Sequence, residues 1–333
     1  MHYIWGMKKL ILSLLVGVAL LTVSCDNTID LEASYKEIGV IYGLLNPADS
    51  VHYVRIQKAF LGKGNANTQA QVFDSSYYPD ILDVRLLRIK NGAVLSSFPL
   101  TRTVGPVKDP GLFPNTPNIL YRSNGEDIFA DSEYRIIVTN TQTGHEFFAQ
   151  TPIVDSLRVL RPNNNDTIRW ASQFPQIVEY VPTANGKVYN LTIRFHFSEQ
   201  DLSVGVAENK FIDWVFPNVV LTNPLSVSSI RDEIEGENFY KFVGQSLEPG
   251  NFLRVAGKLD YIFTAGEEFL ANYISINSSA STVLITPPYY SNVTGGTGIF
   301  SSRFIQKIPN KSMDAAAINL LKSSPYTANL GFQ

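Results

Sequence analysis

Residues 188–198 read Val-Tyr-Asn-Leu-Thr-Ile-Arg-Phe-His-Phe-Ser. Tyr189, Leu191, Ile193, Phe195 and Phe197 fall on one side of an extended chain, and Asn190, Thr192, Arg194, His196 and Ser198 on the other. This period-two alternation is that of a strand with one buried and one wet face. Upstream the same reading repeats. Ile38 to Leu45 is apolar and stops at Asn46-Pro47, and Val51 to Phe60 sets Val54 and Ile56 against Tyr53, Arg55 and Gln57. Asp83 to Ile89 runs into Asn91-Gly92, a dipeptide suited to a tight hairpin, and Ala93 to Thr101 returns. Glu133 to Thr139 aligns Tyr134, Ile136 and Val138, and His145 to Ile153 follows the turn at Thr143-Gly144. Gly105 to Pro117 holds four prolines and reads as an exposed loop, because proline cannot donate to a strand ladder. Short strands at this spacing, without a helical period, imply an immunoglobulin/transthyretin-like β-sandwich over residues 38–154.

Beyond a boundary near Ile153 to Ser156 the pattern changes. Phe211 to Leu221 and Asn251 to Phe263 read as strands. Thr264-Ala265-Gly266-Glu267 has the spacing of a capping box, and Phe269, Leu270, Tyr273, Ile274 and Ile276 recur at helical intervals after it. Ser312 is placed to cap a helix over Met313 to Lys322, stopped by Ser324-Pro325. Residues 155–333 are therefore expected to form a β-rich α+β domain with two or three helices, and the fold class is mainly β.

The chain has 333 residues, 44% hydrophobic and only 17% charged, with a net charge of -3. That is too apolar for disorder, and the net charge argues against the large cationic surface that a nucleic-acid backbone requires, so nucleic acid is not an expected partner. Met7-Lys8-Lys9 precedes an apolar run of 14 residues, Leu10 to Val23. A spanning helix needs roughly 20, so residues 1–24 have the proportions of an export signal. Cys25 is the only cysteine, which excludes an internal disulfide and any cysteine-rich metal site. Ser24-Cys25 at the end of the apolar run resembles a bacterial lipobox, where the thiol is acylated, so Cys25 is expected to be the lipidation site and the membrane a partner. Residues 25–37, with Asp26, Asp30 and Glu32, read as the lipidated cysteine and tether. The expected location is the outer membrane, with the cell surface favoured over the periplasmic face.

Four histidines, His2, His52, His145 and His196, are too scattered for a zinc motif, and His196 beside Arg194 reads as a solvent-facing residue. There is no Gly-x-Ser-x-Gly elbow, and the lone thiol is committed to lipid. Gly295-Gly296-Thr297-Gly298 lacks the lysine of a phosphate loop and reads as a turn before a strand Ile299 to Ile308. Asn163-Asn164-Asn165-Asp166 reads as a plain turn rather than a calcium loop, and Glu267 and Glu268 as first-turn residues of a helix. No catalytic residue, metal ligand or cofactor is expected. Trp170, Trp214, Tyr289 and Tyr290 lie near loops, where aromatics could stack on sugars or pack against a partner; loop packing is the competing role.

Taken together, Cys25-Asp26-Asn27-Thr28-Ile29-Asp30, the strand Val40 to Leu45 before Asn46-Pro47, the block Lys258 to Ile276 and the stretch Asn292 to Phe300 resemble an uncharacterised family of Bacteroidota outer-membrane lipoproteins. The resemblance implies an N-terminal β-sandwich and a setting beside TonB-dependent receptors, and assigns no catalytic residues. The function expected is that of a membrane-anchored, non-catalytic ligand- or partner-binding accessory of a TonB-dependent nutrient-uptake system. The alternatives are a surface glycan-binding module and a hydrolase whose acids are not identifiable from sequence.

Overall fold

The alternation at 188–198 becomes β11 (Val188–Asp201), whose side chains alternate between core and surface along most of its length. In the computed structural model the described residues are 37–59, 68, 70–109, 111, 117–279 and 289–333. Cys25, the export signal and the tether up to Lys36 lie outside them. The chain is mainly β, 47% strand and 14% helical.

The largest sheet has nine strands. It takes in β1 (Gly39–Leu45), β2 (Tyr53–Lys58), β5 (Thr101–Val104), β6 (Ile119–Arg122), β11, β12 (Ala207–Val215), β13 (Val219–Val220), β15 (Phe252–Gly266) and β16 (Gly296–Lys311). Their order is β12-β11-β15-β16-β1-β2-β6-β5, with β13 also on β11. Every pair in this sheet is antiparallel apart from β1 and β16, which run parallel from Gly39 opposite Gly296 to Leu45 opposite Ser302. A four-stranded sheet, β4-β3-β7-β8, is formed by β3 (Leu82–Lys90), β4 (Ala93–Pro99), β7 (Glu133–Asn140) and β8 (Glu146–Pro152). A three-stranded sheet, β14-β10-β9, is formed by β9 (Arg158–Arg161), β10 (Gln176–Val181) and β14 (Ile230–Ile234). Four α-helices are described: α1 (Phe73–Ser76), α2 (Gly236–Ser246), α3 (Glu268–Ser279) and α4 (Ala315–Ser323).

Two apolar cores share the nine-stranded sheet. In the first, Ile41, Val54 and Ile56 of that sheet meet Leu86, Ile136 and Phe147 of the four-stranded sheet, and Phe300 joins them from β16. In the second, Leu191, Ile193, Phe195, Tyr261 and Phe263 meet Val178 of β10, Phe239 of α2 and Leu321 of α4. The chain passes from one core to the other between Ile153 and Val154. Strand pairing nevertheless crosses that point, because the C-terminal β16 lies between β1 and β15, and Glu37–Gln333 forms one compact unit. Each large apolar side chain buried in these cores contributes on the order of 1.5–3 kcal/mol.

Several local expectations are corrected. Gly295 to Gly298 is not a turn ahead of the strand: β16 begins at Gly296 and pairs with β1 from there. At Gly298, φ is +110° and a Cβ would lie 2.0 Å from the Ile41 carbonyl oxygen, so glycine is required for the close parallel approach. The strand expected over Phe211 to Leu221 divides into β12 and β13 around Phe216-Pro217-Asn218, where proline interrupts the ladder. Thr264 does not cap α3, because it is held in β15 opposite Asn190 and Ile305. Ser312 does not cap α4: its carbonyl accepts the Ile168 N–H at 2.8 Å, and Asp314 is the cap, accepting the Ala317 N–H at 2.8 Å.

Candidate functional site

Tyr42 follows Ile41 in β1 and therefore points away from the core that Ile41 enters. Tyr273, on α3, and Tyr289, in the segment leading to β16, lie in the neighbourhood of the Tyr42 phenol. Burial, together with these two phenols, pushes the Tyr42 hydroxyl above its ordinary value. Tyr290 stands beside them, its hydroxyl 3.5 Å from the Asn272 side-chain amide of α3. Tyr289 is 70% exposed and Tyr42 42%, so the cluster is open to solvent.

The backbone under these tyrosines is firmly held. Asn292 imitates a strand residue: its Nδ2 donates to the Phe300 carbonyl at 2.7 Å and its Oδ1 accepts the Phe300 N–H at 3.0 Å. Thr294 and Phe148 exchange two backbone hydrogen bonds at 2.8 and 3.0 Å. At the start of α3 the buried Glu267 carboxylate accepts the Phe269 N–H at 2.8 Å and the Ser301 hydroxyl at 2.9 Å. It is this glutamate, rather than Thr264, that satisfies the helix end, and it ties α3 to β16. Burial pushes the Glu267 carboxyl above the usual carboxylate range, against the pull of the Phe269 amide and Ser301.

The other two expected ligand-binding aromatics lie elsewhere. Trp170 is a core residue, 1% exposed and stacked on Phe239 with ring centroids 5.1 Å apart, so it is not available to a ligand. Gly236 makes this possible, since α2 approaches so closely that a Cβ there would meet the Trp170 carbonyl oxygen. Trp214 is half-buried, packed on the same core and stacked on Phe242 at 5.3 Å. The structure thus brings Tyr289 and Tyr290 together with Tyr42 and Tyr273, and draws the two tryptophans inward. Tyr289 and Tyr290 were picked out by sequence reasoning, whereas Tyr42 and Tyr273 were missed, the position of Tyr42 next to Ile41 in β1 being the one local signal.

His196 faces solvent as expected, and it is also paired. On the outer face of the nine-stranded sheet its Nε2 lies 2.8 Å from Asp260 Oδ2. The same carboxylate takes Lys307 Nζ at 2.8 Å and the Asn310 N–H at 2.9 Å. Burial alone would raise the Asp260 carboxyl, but the bonds from Lys307, the Asn310 amide and His196 bring it down to about 2. Next to it Arg194 grips Asp213 with two bonds of 2.7 and 2.8 Å and covers the Phe211 ring at 3.9 Å. The set stitches β12, β11, β15 and β16 together across the sheet. His52 is buried, and His145 stands 3.9 Å from Glu37. Among the described residues, no group of three or more His, Cys, Asp or Glu side chains is placed to hold a metal ion, and no helix is long and apolar enough to cross a membrane.

The chain matches no protein-family model and no curated protein. Chemically, the tyrosine surface offers broad apolar area with polar tips, which suits recognition.

Proposed function

We propose that this protein is an exported, lipid-anchored binding protein with no catalytic role, held at the outer membrane through Cys25 and serving as an accessory of a TonB-dependent uptake system. The observation that carries the binding role is the cluster of Tyr42, Tyr273, Tyr289 and Tyr290 on anchored backbone. Tyrosine suits such a task because it buries a large area while losing few rotatable bonds, and it is enriched at recognition surfaces. The anchor rests on the basic pair Lys8-Lys9, the apolar run to Val23 and Ser24-Cys25.

The test is a photoreactive phenylalanine analogue at position 289 in the native host, with the exposed position 322 as control. The expected result is a crosslink from position 289 to an outer-membrane β-barrel receptor, absent from position 322. Equal labelling from both positions, or no receptor adduct from 289 while uptake is active, overturns the proposal. A second reading, a glycan-binding module, draws on the Tyr290 hydroxyl and Asn272 amide beside the exposed Tyr289 ring, a pairing of stacking face with polar groups. Titration against a polysaccharide panel decides it, since binding that survives Tyr42→Ala with Tyr289→Ala removes the reading.

A further inference from the structure

Arg161, the last residue of β9, and Arg169 flank a polar cavity of about 580 Å3 that also takes in Asn165, Asp166, Thr167 and Gln176. Both arginines are exposed, and among the described residues neither has a carboxylate within ion-pairing distance. Glu179 lies opposite Arg161 in the sheet but accepts the Ser229 hydroxyl at 2.8 Å. Asp166 is the one acid in the lining, and its Oδ2 is engaged by the Asn163 N–H at 2.7 Å.

Behind the turn, Lys311 is 3% exposed and donates to the backbone carbonyls of Asn163 at 2.7 Å and Asn164 at 2.8 Å. Among the described residues it too has no carboxylate partner. The carbonyl oxygens that a bound cation would need therefore already face an ammonium group. A buried ammonium held only by carbonyls leaves positive charge uncompensated, and its field acts strongly in a poorly screened site. Two cations thus line the cavity against one carboxylate, and Lys311 is bonded to the carbonyl of the lining residue Asn163. The turn is preset by the Ile168 N–H bonded to Ser312 O at 2.8 Å and the Asp314 N–H bonded to Ile168 O at 3.1 Å.

We infer that this cavity binds a small polar ligand through an oxyanion, a carboxylate or phosphate group held by Arg161 and Arg169. The planar guanidinium fork matches such oxyanions with paired hydrogen bonds, and Asn165, Thr167 and Gln176 supply donors and acceptors for the rest of the ligand. A volume of about 580 Å3 lies within the range of small-molecule sites. The site stands apart from the tyrosine surface and needs neither the anchor nor a receptor.

Calorimetric titration of the full chain at low ionic strength with glucuronate, glucose 6-phosphate and glucose tests it. Both acidic sugars are expected to bind, with glucose at least about tenfold weaker, and Arg161→Ala with Arg169→Ala should weaken the acids about tenfold or more, the loss of one charge-assisted bond or better. Arg158→Ala, on β9 but outside the cavity, should leave binding unchanged, and unaltered thermal midpoints show that the variants fold. Tighter glucuronate assigns a carboxylate ligand, and tighter glucose 6-phosphate a phosphate ester. No binding of either acid, equal binding of glucose, or an Arg158→Ala loss as large as that of the double variant overturns the inference.

Discussion

Asp260→Asn tests the stitch across the outer face of the large sheet. The Asp260 side chain is only 5% exposed, with His196 Nε2 and Lys307 Nζ both at 2.8 Å. Its carboxyl is brought to about 2 from an ordinary 3.8. That gap of about 1.8 pH units, at roughly 1.4 kcal/mol each, means that ionised Asp260 favours the folded state by about 2.5 kcal/mol. Because the folded value lies below the unfolded one, this stability is present above pH 3.8 and disappears as pH falls from there through about 2. Asparagine keeps an oxygen for the Asn310 N–H but removes the charge opposite Lys307 and His196. We expect a loss of about 2–4 kcal/mol at pH 7, and a gap between wild type and variant that narrows by about 2 kcal/mol between pH 5 and pH 2. Urea unfolding followed by tryptophan fluorescence at pH 7, 5, 3 and 2 measures both. A variant within about 0.5 kcal/mol of wild type at pH 7, or a gap that does not change with pH, would refute the reasoning.

Gly298→Ala should cost more than about 3 kcal/mol, since φ is +110° and the added Cβ meets the Ile41 carbonyl. Gly92→Ala, at φ +79° with open space around it, should cost about 1 kcal/mol, and thermal melts that rank the two equally count against the parallel register. Glu267 has its carboxyl raised by burial, so its contribution is full below the ordinary 4.5 and declines as pH rises through the folded value. Glu267→Gln keeps an oxygen for the Phe269 N–H and Ser301 and should therefore gain on wild type from pH 5 to 8 in urea midpoints; a constant difference would exclude this. Trp170→Ala should destabilise by about 3–5 kcal/mol, read as a lower denaturation midpoint, whereas a neutral effect would contradict its core position. Cys25→Ala should move the protein from the membrane to the soluble fraction with loss of acyl label, and continued membrane partition with label would end the anchor proposal.

The strands were legible wherever one face is buried and the other wet. Val188 to Ser198, Val54 with Ile56, and Tyr134 with Ile136 and Val138 all carry their burial in their spacing. The Asn91-Gly92 turn was legible too, because its left-handed backbone, φ 52° and 79°, is a local property of those two residue types. Helix ends were less so. Thr264 and Ser312 have the chemistry of caps, but pairing with the distant β16 and with Ile168 fixed their backbones, and the nearby acids Glu267 and Asp314 took the role. In the candidate site, Tyr289 and Tyr290 could be picked out as aromatics in a proline-rich stretch, while Trp170 looked the same and lies in the core.

From its own alphabet, the chain settles the mainly β class and the facing of its strands, because periodicity is a relation between neighbours. The pairing of Gly39 with Gly296, the sharing of one sheet by two cores, the placing of Tyr273 and Tyr289 near Tyr42, and the cavity lined by Arg161 and Arg169 came only with the tertiary structure. These contacts join residues far apart along the chain, and their partners are chosen by packing and charge that no local spacing records.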